Sequence, residues 1–313
     1  MDIRDILVRY GIFLGKRFRW KQKQAFANYI SDEFQKLGYG VQGQISERKK
    51  NYALNIIVGD LTKAKKIVIA HYDTPQRSFL PIKYYPFNEY KSFKASLFPL
   101  NAPFLVLFSM IFVILYFVRG YFGFTGLNLN TFVSILFVVV LALLSFVFSL
   151  GIANPINLRR NSAAVITALV VAEQLKAKKD IAYVLTDRET SDHEGDRMIQ
   201  KALPVTLKNR EVVHLHCLGK GPVVGIGYGE EAESHASKFA DVIKGNHETF
   251  LKLMDEKEKR VHSLGFYPKG ITISTGIKIG EEILVENTST KKDSDVDMEF
   301  LISISTSIVN YLK

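Results

Sequence analysis

The residues best suited to chemistry begin with His71 and Asp73, which close the run Lys66-Ile67-Val68-Ile69-Ala70-His71-Tyr72-Asp73. A neutral imidazole offers a lone pair to a metal ion, and a carboxylate that orients the ring commonly accompanies a ligating histidine. The residues alone leave metal ligation and a purely structural role open. Two further stretches place polar side chains just beyond an apolar run. One is Asp187-Arg188-Glu189-Thr190-Ser191-Asp192-His193-Glu194-Gly195, and the other is Val212-Val213-His214-Leu215-His216-Cys217. Within them His214, like His235, His247 and His262 elsewhere, reads as an ordinary core or surface residue.

The elements that position these groups follow from periodicity. A short β-branched run between lysines is a buried strand, and ligands of open α/β sheets bind beyond the carboxyl ends of strands. Residues 2–14 predict an amphipathic helix. Phe26, Tyr29, Ile30, Phe34 and Leu37 have helical spacing, with Gly38 as a stop. Strands are predicted over 39–45, 52–58 and 181–186. Asn161 or Ser162 caps a helix carrying Val165, Leu169 and Ala172 on one face. Later helices are predicted through Met198 and Leu203, over 231–243, 247–258 and 296–312, with short strands at 271–274 and 283–285. Gly219, Gly221, Gly225, Gly227 and Gly229 lack the strand-to-helix context of a nucleotide fingerprint. The alternation implies an α/β fold, a mixed sheet covered by helices on both faces.

Two stretches break this pattern. Residues 96–118 contain no charge, and residues 131–152 are uncharged and dense in Val, Leu and Phe. Each exceeds the roughly 20 apolar residues that span a hydrocarbon core of about 30 Å. A buried core helix is seldom apolar on every face for so long. The reading is a transmembrane hairpin joined by residues 119–130. It divides the chain into 1–95, the first part of an α/β domain; 96–155, the inserted hairpin; and 156–313, the second part. Lys83, Lys91 and Lys94 precede the hairpin, Arg159 and Arg160 follow it, and only Arg119 lies in the turn. That asymmetry puts the domain and both termini in the cytoplasm, with the chain in the cell (inner or plasma) membrane.

Charge and cysteine usage agree with this. The 313-residue chain carries a formal net charge of +10 and one cysteine, Cys217. An internal disulfide is excluded, and a reducing compartment fits. The start, Met1 to Asp5, has two acids and no long apolar core, so no signal peptide is expected there. Lys16, Arg17, Arg19, Lys21 and Lys23, interleaved with Phe18 and Trp20, read as a basic face against anionic headgroups. No nucleic-acid module is visible, so the lipid bilayer is the expected partner, with another membrane protein or a peptide ligand as further candidates.

Four pieces in order now resemble one family. They are residues 67–74, Arg159-Arg160-Asn161-Ser162-Ala163-Ala164-Val165, the 187–195 loop after its strand, and residues 212–219. Together with 269–272 and Asn287-Thr288-Ser289 they are similar to the co-catalytic zinc aminopeptidases, metallopeptidase family twenty-eight, whose relatives include non-catalytic members. The resemblance covers the chain outside roughly residues 77–155 and implies an aminopeptidase-like fold. It also implies two zinc ions sharing a bridging carboxylate, with a glutamate as general base. His71 matches the first ligand and Asp73 its supporting carboxylate. At the bridging position stands Arg160, a permanent donor without a lone pair. Its charge about 4 Å from a divalent ion is opposed by several kcal/mol. The paired glutamates fall on 187–190 in one of two registers, giving Arg188 with Glu189 or Glu189 with Thr190. The next ligand corresponds to His216 and the closing histidine to Asn287.

The resemblance thus describes a degenerate, membrane-anchored member. The first reading is a pseudopeptidase with a binding, scaffolding or regulatory role and no metal. In it Arg160, with Arg188 as a candidate helper, fills the metal site and pairs with Asp73 and Glu189. The second is a metallo-aminopeptidase-type hydrolase with one zinc on His71, His216 and Glu189, and an acid or base from His193 or Glu194 unless these lie in a solvated loop. A third is a subunit of a membrane complex. The hairpin's place after the His71 loop predicts that the site edge approaches the bilayer.

Overall fold

The computed structural model describes the chain apart from residues 1, 47–51, 122–128, 177, 204–206 and 244–245, and apart from the side chains of 118–121 and 129–131. Most of the 119–130 connection therefore lies outside the described residues. The helices are α1 (Ile3–Ile6), α2 (Trp20–Lys36), α3 (Glu89–Tyr121), α4 (Leu129–Ser149), α5 (Ala163–Leu175), α6 (Glu194–Ala202), α7 (Glu233–Ile243), α8 (Glu256–Arg260) and α9 (Met298–Leu312). The strands are β1 (Val41–Ile45), β2 (Leu54–Val58), β3 (Lys66–His71), β4 (Ile82–Tyr84), β5 (Ile181–Thr186), β6 (Glu211–Leu215), β7 (Val223–Tyr228), β8 (Glu248–Leu253), β9 (Gly270–Ile279) and β10 (Glu282–Thr288).

These strands form one mixed sheet in the order β1-β2-β5-β3-β6-β9-β10-β4, with β7 and β8 continuing from β9. Its centre, β5-β3-β6-β9, is parallel. Buried on both faces, these strands read as continuous apolar runs, as parallel strands do. On one face Val68, Ala70, Tyr183, Leu185, Val213 and Leu215 share a core with α2 and α5, and α9 lies beyond α5. Helix α5 is apolar all round because it lies between the sheet and α9, and it is buried nearly throughout. On the other face Ile67, Ile69, Val184 and Val212 pack against Ile199, Leu203 and Tyr267. The fold is the α/β arrangement expected from sequence, a mixed sheet covered by helices on both faces.

Several elements differ from expectation. Residues 247–258 are not one helix: β8 pairs parallel with β7, and Asp255 then starts α8 through a capping box with Glu258. Tertiary pairing of Thr249-Phe250-Leu251 overrides the apparent helical spacing. The last two strands are a longer hairpin turning at Gly280, whose φ of +61° suits glycine. Strand β4, absent from the sequence reading, pairs antiparallel with β10 and brings Tyr84 to the sheet end.

The basic stretch 16–23 is divided. Lys16, Arg19 and Lys21 are exposed, but Arg17 is fully buried. Its guanidinium donates to Tyr72 O at 2.5 Å, Tyr10 O at 2.8 Å and Ser162 Oγ at 2.8 Å, and lies over the Phe26 ring. Lys23 pairs with the buried Asp187 at 2.5 Å. Two of the five cations are thus core groups rather than part of a headgroup-facing surface.

Helices α3 and α4 pack side by side, and each is long and apolar enough to cross a membrane. Only 6% of the residues in either span are buried. Helix α3 starts within the α/β domain: Ser92 N donates to Asn88 O at 3.0 Å and Ser92 Oγ to Tyr85 O at 3.0 Å.

Candidate functional site

Register assembles the site. Strands β3 and β5 pair His71 with Thr186, and β3 and β6 pair Ala70 with Leu215. The carboxyl ends of three strands therefore coincide, and His71, the 187–190 turn and His216 converge. Side chains alternate along a strand, so Ile67, Ile69 and His71 share a face with Val212, His214 and His216 of the neighbour. That face carries a cluster of buried imidazoles. The rings of His71 and His216 lie 4.6 Å apart, His71 and His214 5.8 Å, and His214 and His216 5.4 Å. His262, before the 3₁₀ turn Ser263–Phe266, adds a fourth ring 5.8 Å from His214.

His214 and His262, read from sequence as ordinary residues, thus belong to the site. The spacing of His214 and His216, two apart on a strand, was a usable signal. His262 falls near the segment that shapes the substrate rim in the family it resembles, a single residue too weak to carry a role; the fold places it in the cluster.

Arg160 occupies the centre. It is 6% exposed, donates to His216 Nε2 at 2.8 Å, and lies 3.5 Å from the Tyr84 ring centroid. Its Nη2 sits 3.5 Å from Glu189 Oε2. Guanidinium only donates, so His216 Nε2 must accept and its proton resides on Nδ1. That Nδ1 faces Glu189 Oε1 at 3.7 Å, and His71 Nε2 faces Glu189 Oε2 at 3.5 Å. One carboxylate is thus flanked by a cation and two imidazoles. Asp293, a residue with no signal in the sequence, fixes the arginine's backbone by accepting the amides of Arg159 at 2.9 Å and Arg160 at 3.3 Å.

The other expected residues disperse. Arg188 does not enter the site; it adopts a positive φ of 63° and pairs with Asp192 at 2.9 Å. Asp73 does not support His71, both of whose ring nitrogens lack a hydrogen-bond partner. Its carboxylate instead accepts the amides of Glu189 and Thr190 at 3.2 Å and the Thr190 hydroxyl at 2.5 Å. The expected pairing of Asp73 with an arginine is therefore corrected: two backbone amides and the Thr190 hydroxyl satisfy it. Asn287 lines a different pocket, and Thr288 and Ser289 take its place at the site. His193 and Glu194 are not in a solvated loop. Glu194 is buried, and His193 lies between Glu89 of α3 and Asp196, each at 3.3 Å.

Electrostatics follow from dryness. Burial, aided by the Arg160 charge, lowers His71 to about 3. Burial lowers His214 and His262 to about 3 and His216 well below its ordinary value. All four rings are neutral at physiological pH. Burial also raises Glu189, against the pull of Arg160. Burial works against the guanidinium, yet Tyr84, Cys217 and Glu189 keep Arg160 well above its ordinary value. His193 resists burial through its bonds to Asp196 and Glu89, which hold it at about 11 and therefore charged. Burial lifts the Cys217 thiol to about 12, so it is no nucleophile.

Two zinc ions sharing a carboxylate do not fit these residues: Arg160 puts a permanent cation beside Glu189, and Asn287 lines another pocket. A single ion fits better. His71, His214 and His216 each present a ligand atom within 4.8 Å of the others, and His71, His214 Nε2 and His216 Nδ1 have no hydrogen-bond partner. His262 is a poorer donor, because its Nδ1 accepts the Leu264 amide at 3.0 Å and its proton sits on Nε2.

Above the cluster opens a cavity of about 450 Å³, floored by Arg160, Glu189 and Thr190. Glu89, Ser92, Phe93, Ser96 and Leu100 of α3 form one wall.

No family model matches the chain, and no curated protein matches it by sequence. Solved structures do. Glutaminyl cyclase of Porphyromonas gingivalis superposes with a TM-score of 0.60 at 14% identity, covering 99% of this chain and 97% of that one. The glutaminyl cyclase of Macrostomum lignano gives 0.57 at 11% identity, covering 99% and 88%. The LapA aminopeptidase of Legionella pneumophila gives 0.53 at 12% identity, covering 99% and 68%. The chain has an aminopeptidase-like fold. At these identities the likeness concerns fold alone.

Proposed function

We propose that this chain is a membrane-anchored pseudopeptidase: an aminopeptidase-like domain that binds a ligand at the membrane face and has lost two-metal hydrolysis. The observation carrying this reading is the 2.8 Å bond from Arg160 to His216 Nε2, made while the same guanidinium faces Glu189. A cation and a carboxylate balance each other where divalent charge would otherwise offset buried acid. The hairpin anchors the domain on the cytoplasmic side, with residues 96–155 as the inserted unit. The 450 Å³ cavity, walled by the start of α3, has the size of a small-ligand site. Its mixed hydroxyl and aromatic lining suits a peptide tail arriving along the bilayer surface.

The test uses the full chain in mild detergent with added zinc, assayed for aminopeptidase turnover and for glutaminyl cyclisation, the activities named for its structural neighbours. No turnover is expected. Turnover that chelator and Glu189→Gln both abolish would overturn the reading.

The unpartnered imidazole nitrogens favour a second reading, a single-metal hydrolase on His71, His214 and His216, with Glu189 as a fourth ligand or base. An ion bound there would supply Lewis-acid polarisation or an activated water. The chain's own contribution would be His216, which must shift its proton to Nε2 and donate to Tyr84 Oη at 2.9 Å, releasing Arg160. Near-stoichiometric metal in the purified protein, lost in His71→Ala and His214→Ala, would establish it.

A further inference from the structure

A second concave site lies apart from the imidazole cluster, where the hairpin joins the domain. It encloses about 270 Å³, and its lining includes Arg77, Lys291 and Lys292 but no carboxylate. Arg77 is half-buried; its guanidinium lies 4.9 Å from the Phe79 ring centroid, and its Nε is buried without a hydrogen-bond partner. A buried donor left unpaired is uncommon and marks a place where a partner is missing.

The site is tied to both apolar helices. Arg77 N donates to Ile152 O at 2.7 Å, just past the end of α4, and Gln76 bridges Ala153. Phe79 packs edge-on against Phe148 of α4, with centroids 5.9 Å apart, yet stays 50% exposed. Ser78 Oγ approaches Pro99 O of α3 at 3.4 Å, and Ser78 N donates to Ser289 O at 2.7 Å. The cations are thus held at the level where both helices enter the domain, beside an aromatic ring that faces outward.

We propose that this pocket binds the phosphate of an anionic lipid headgroup. The planar guanidinium presents the fork that suits phosphate oxygens, and the two lysines add point charges. Phe79 lies along the acyl chains below the headgroup. Free phosphate shares the headgroup chemistry but makes no use of that exposed ring. The proposal rests on the membrane reading of α3 and α4, which is tested separately.

The full chain in neutral detergent is titrated with dioctanoyl phosphatidylglycerol, dioctanoyl phosphatidylcholine and inorganic phosphate, and adducts are read by native mass spectrometry. One saturable phosphatidylglycerol per chain is expected, with no comparable phosphatidylcholine adduct. Lys291 and Lys292 are exposed, so their replacement leaves the fold intact, as circular dichroism will verify. Lys291→Ala with Lys292→Ala should weaken binding about twenty-five-fold, each surface charge being worth about a factor of five. Arg77→Gln should weaken it further. Equal affinity for both lipids, unchanged binding in the lysine variant, or displacement of the lipid by an equal concentration of phosphate would each overturn the proposal. Release of the chain from native membranes by alkaline carbonate would instead overturn the membrane reading.

Discussion

The two halves of this molecule are built in opposite senses. In the α/β domain, charge is inside: Arg17, Arg160, Asp187 and Glu189 are each at most 6% exposed, and each is matched by a donor or acceptor. In the hairpin, apolar surface is outside: Phe108, Phe112, Leu143 and Phe146 are 59%, 73%, 59% and 61% exposed. The same rule operates in both. A side chain is stable where its surroundings supply what it lacks: partners for charge and, under the proposed membrane reading, hydrocarbon for the exposed rings of α3 and α4. Helix α3 joins the two regimes, since Glu89 at its start pairs with His193 of the site while its later turns expose mostly apolar groups such as Phe108 and Phe112.

That contrast can be broken at three points. The largest effect is expected at Arg160. Arg160→Ala leaves Glu189 buried between neutral imidazoles, and chemical denaturation should show a loss of about 3–5 kcal/mol. The double variant Arg160→Met, Glu189→Leu removes both charges and should recover much of it. A neutral Arg160→Ala would mean that the guanidinium does not balance the site.

Next in size is a charge placed outside. Val113 is half-exposed within the uncharged stretch of α3. If hydrocarbon surrounds it, Val113→Asp should cost about 2.5–3.5 kcal/mol, read as reduced membrane insertion of the full chain. An exposed position in water would instead tolerate it within about 0.5 kcal/mol.

The smallest effect concerns pH. His262 is held near 3 when folded and titrates near its ordinary 6.5 when unfolded. A lowered folded value means that its stabilising share is complete above about pH 6.5 and is lost as acid is added. His262→Asn preserves an acceptor for the Leu264 amide but removes the proton site. In chelator-treated protein, the stability lost between pH 6.5 and 5.5 should therefore shrink by about 1 kcal/mol. An unchanged pH profile would place His262 in contact with water.

Much of the fold was legible because burial writes its period into the chain. The β5 strand over 181–186 and β3 ending at His71 were readable from apolar runs, and the two uncharged segments from their length. Strand β8 was not, since its pairing with β7 rather than its spacing decides its conformation. The missed β4 has three residues, too few for a period, yet it delivers Tyr84 to Arg160. In the basic stretch, spacing gave no sign that Arg17 turns inward, because its partners Tyr72 and Ser162 are 55 and 145 residues away.

From the sequence alone came residue types and their order: the His71 and Asp73 pair at a strand end, the single Cys217, and two long apolar runs within an α/β chain. Local chemistry reads these directly, whereas the expectation of a cation at a bridging position and one acid instead of two came through the family resemblance. Only the tertiary structure decided which groups meet. It set Arg160 against His216 and Glu189, turned Arg188 and Asn287 away, and added His214 and His262, because strand register and loop packing join residues far apart in the chain.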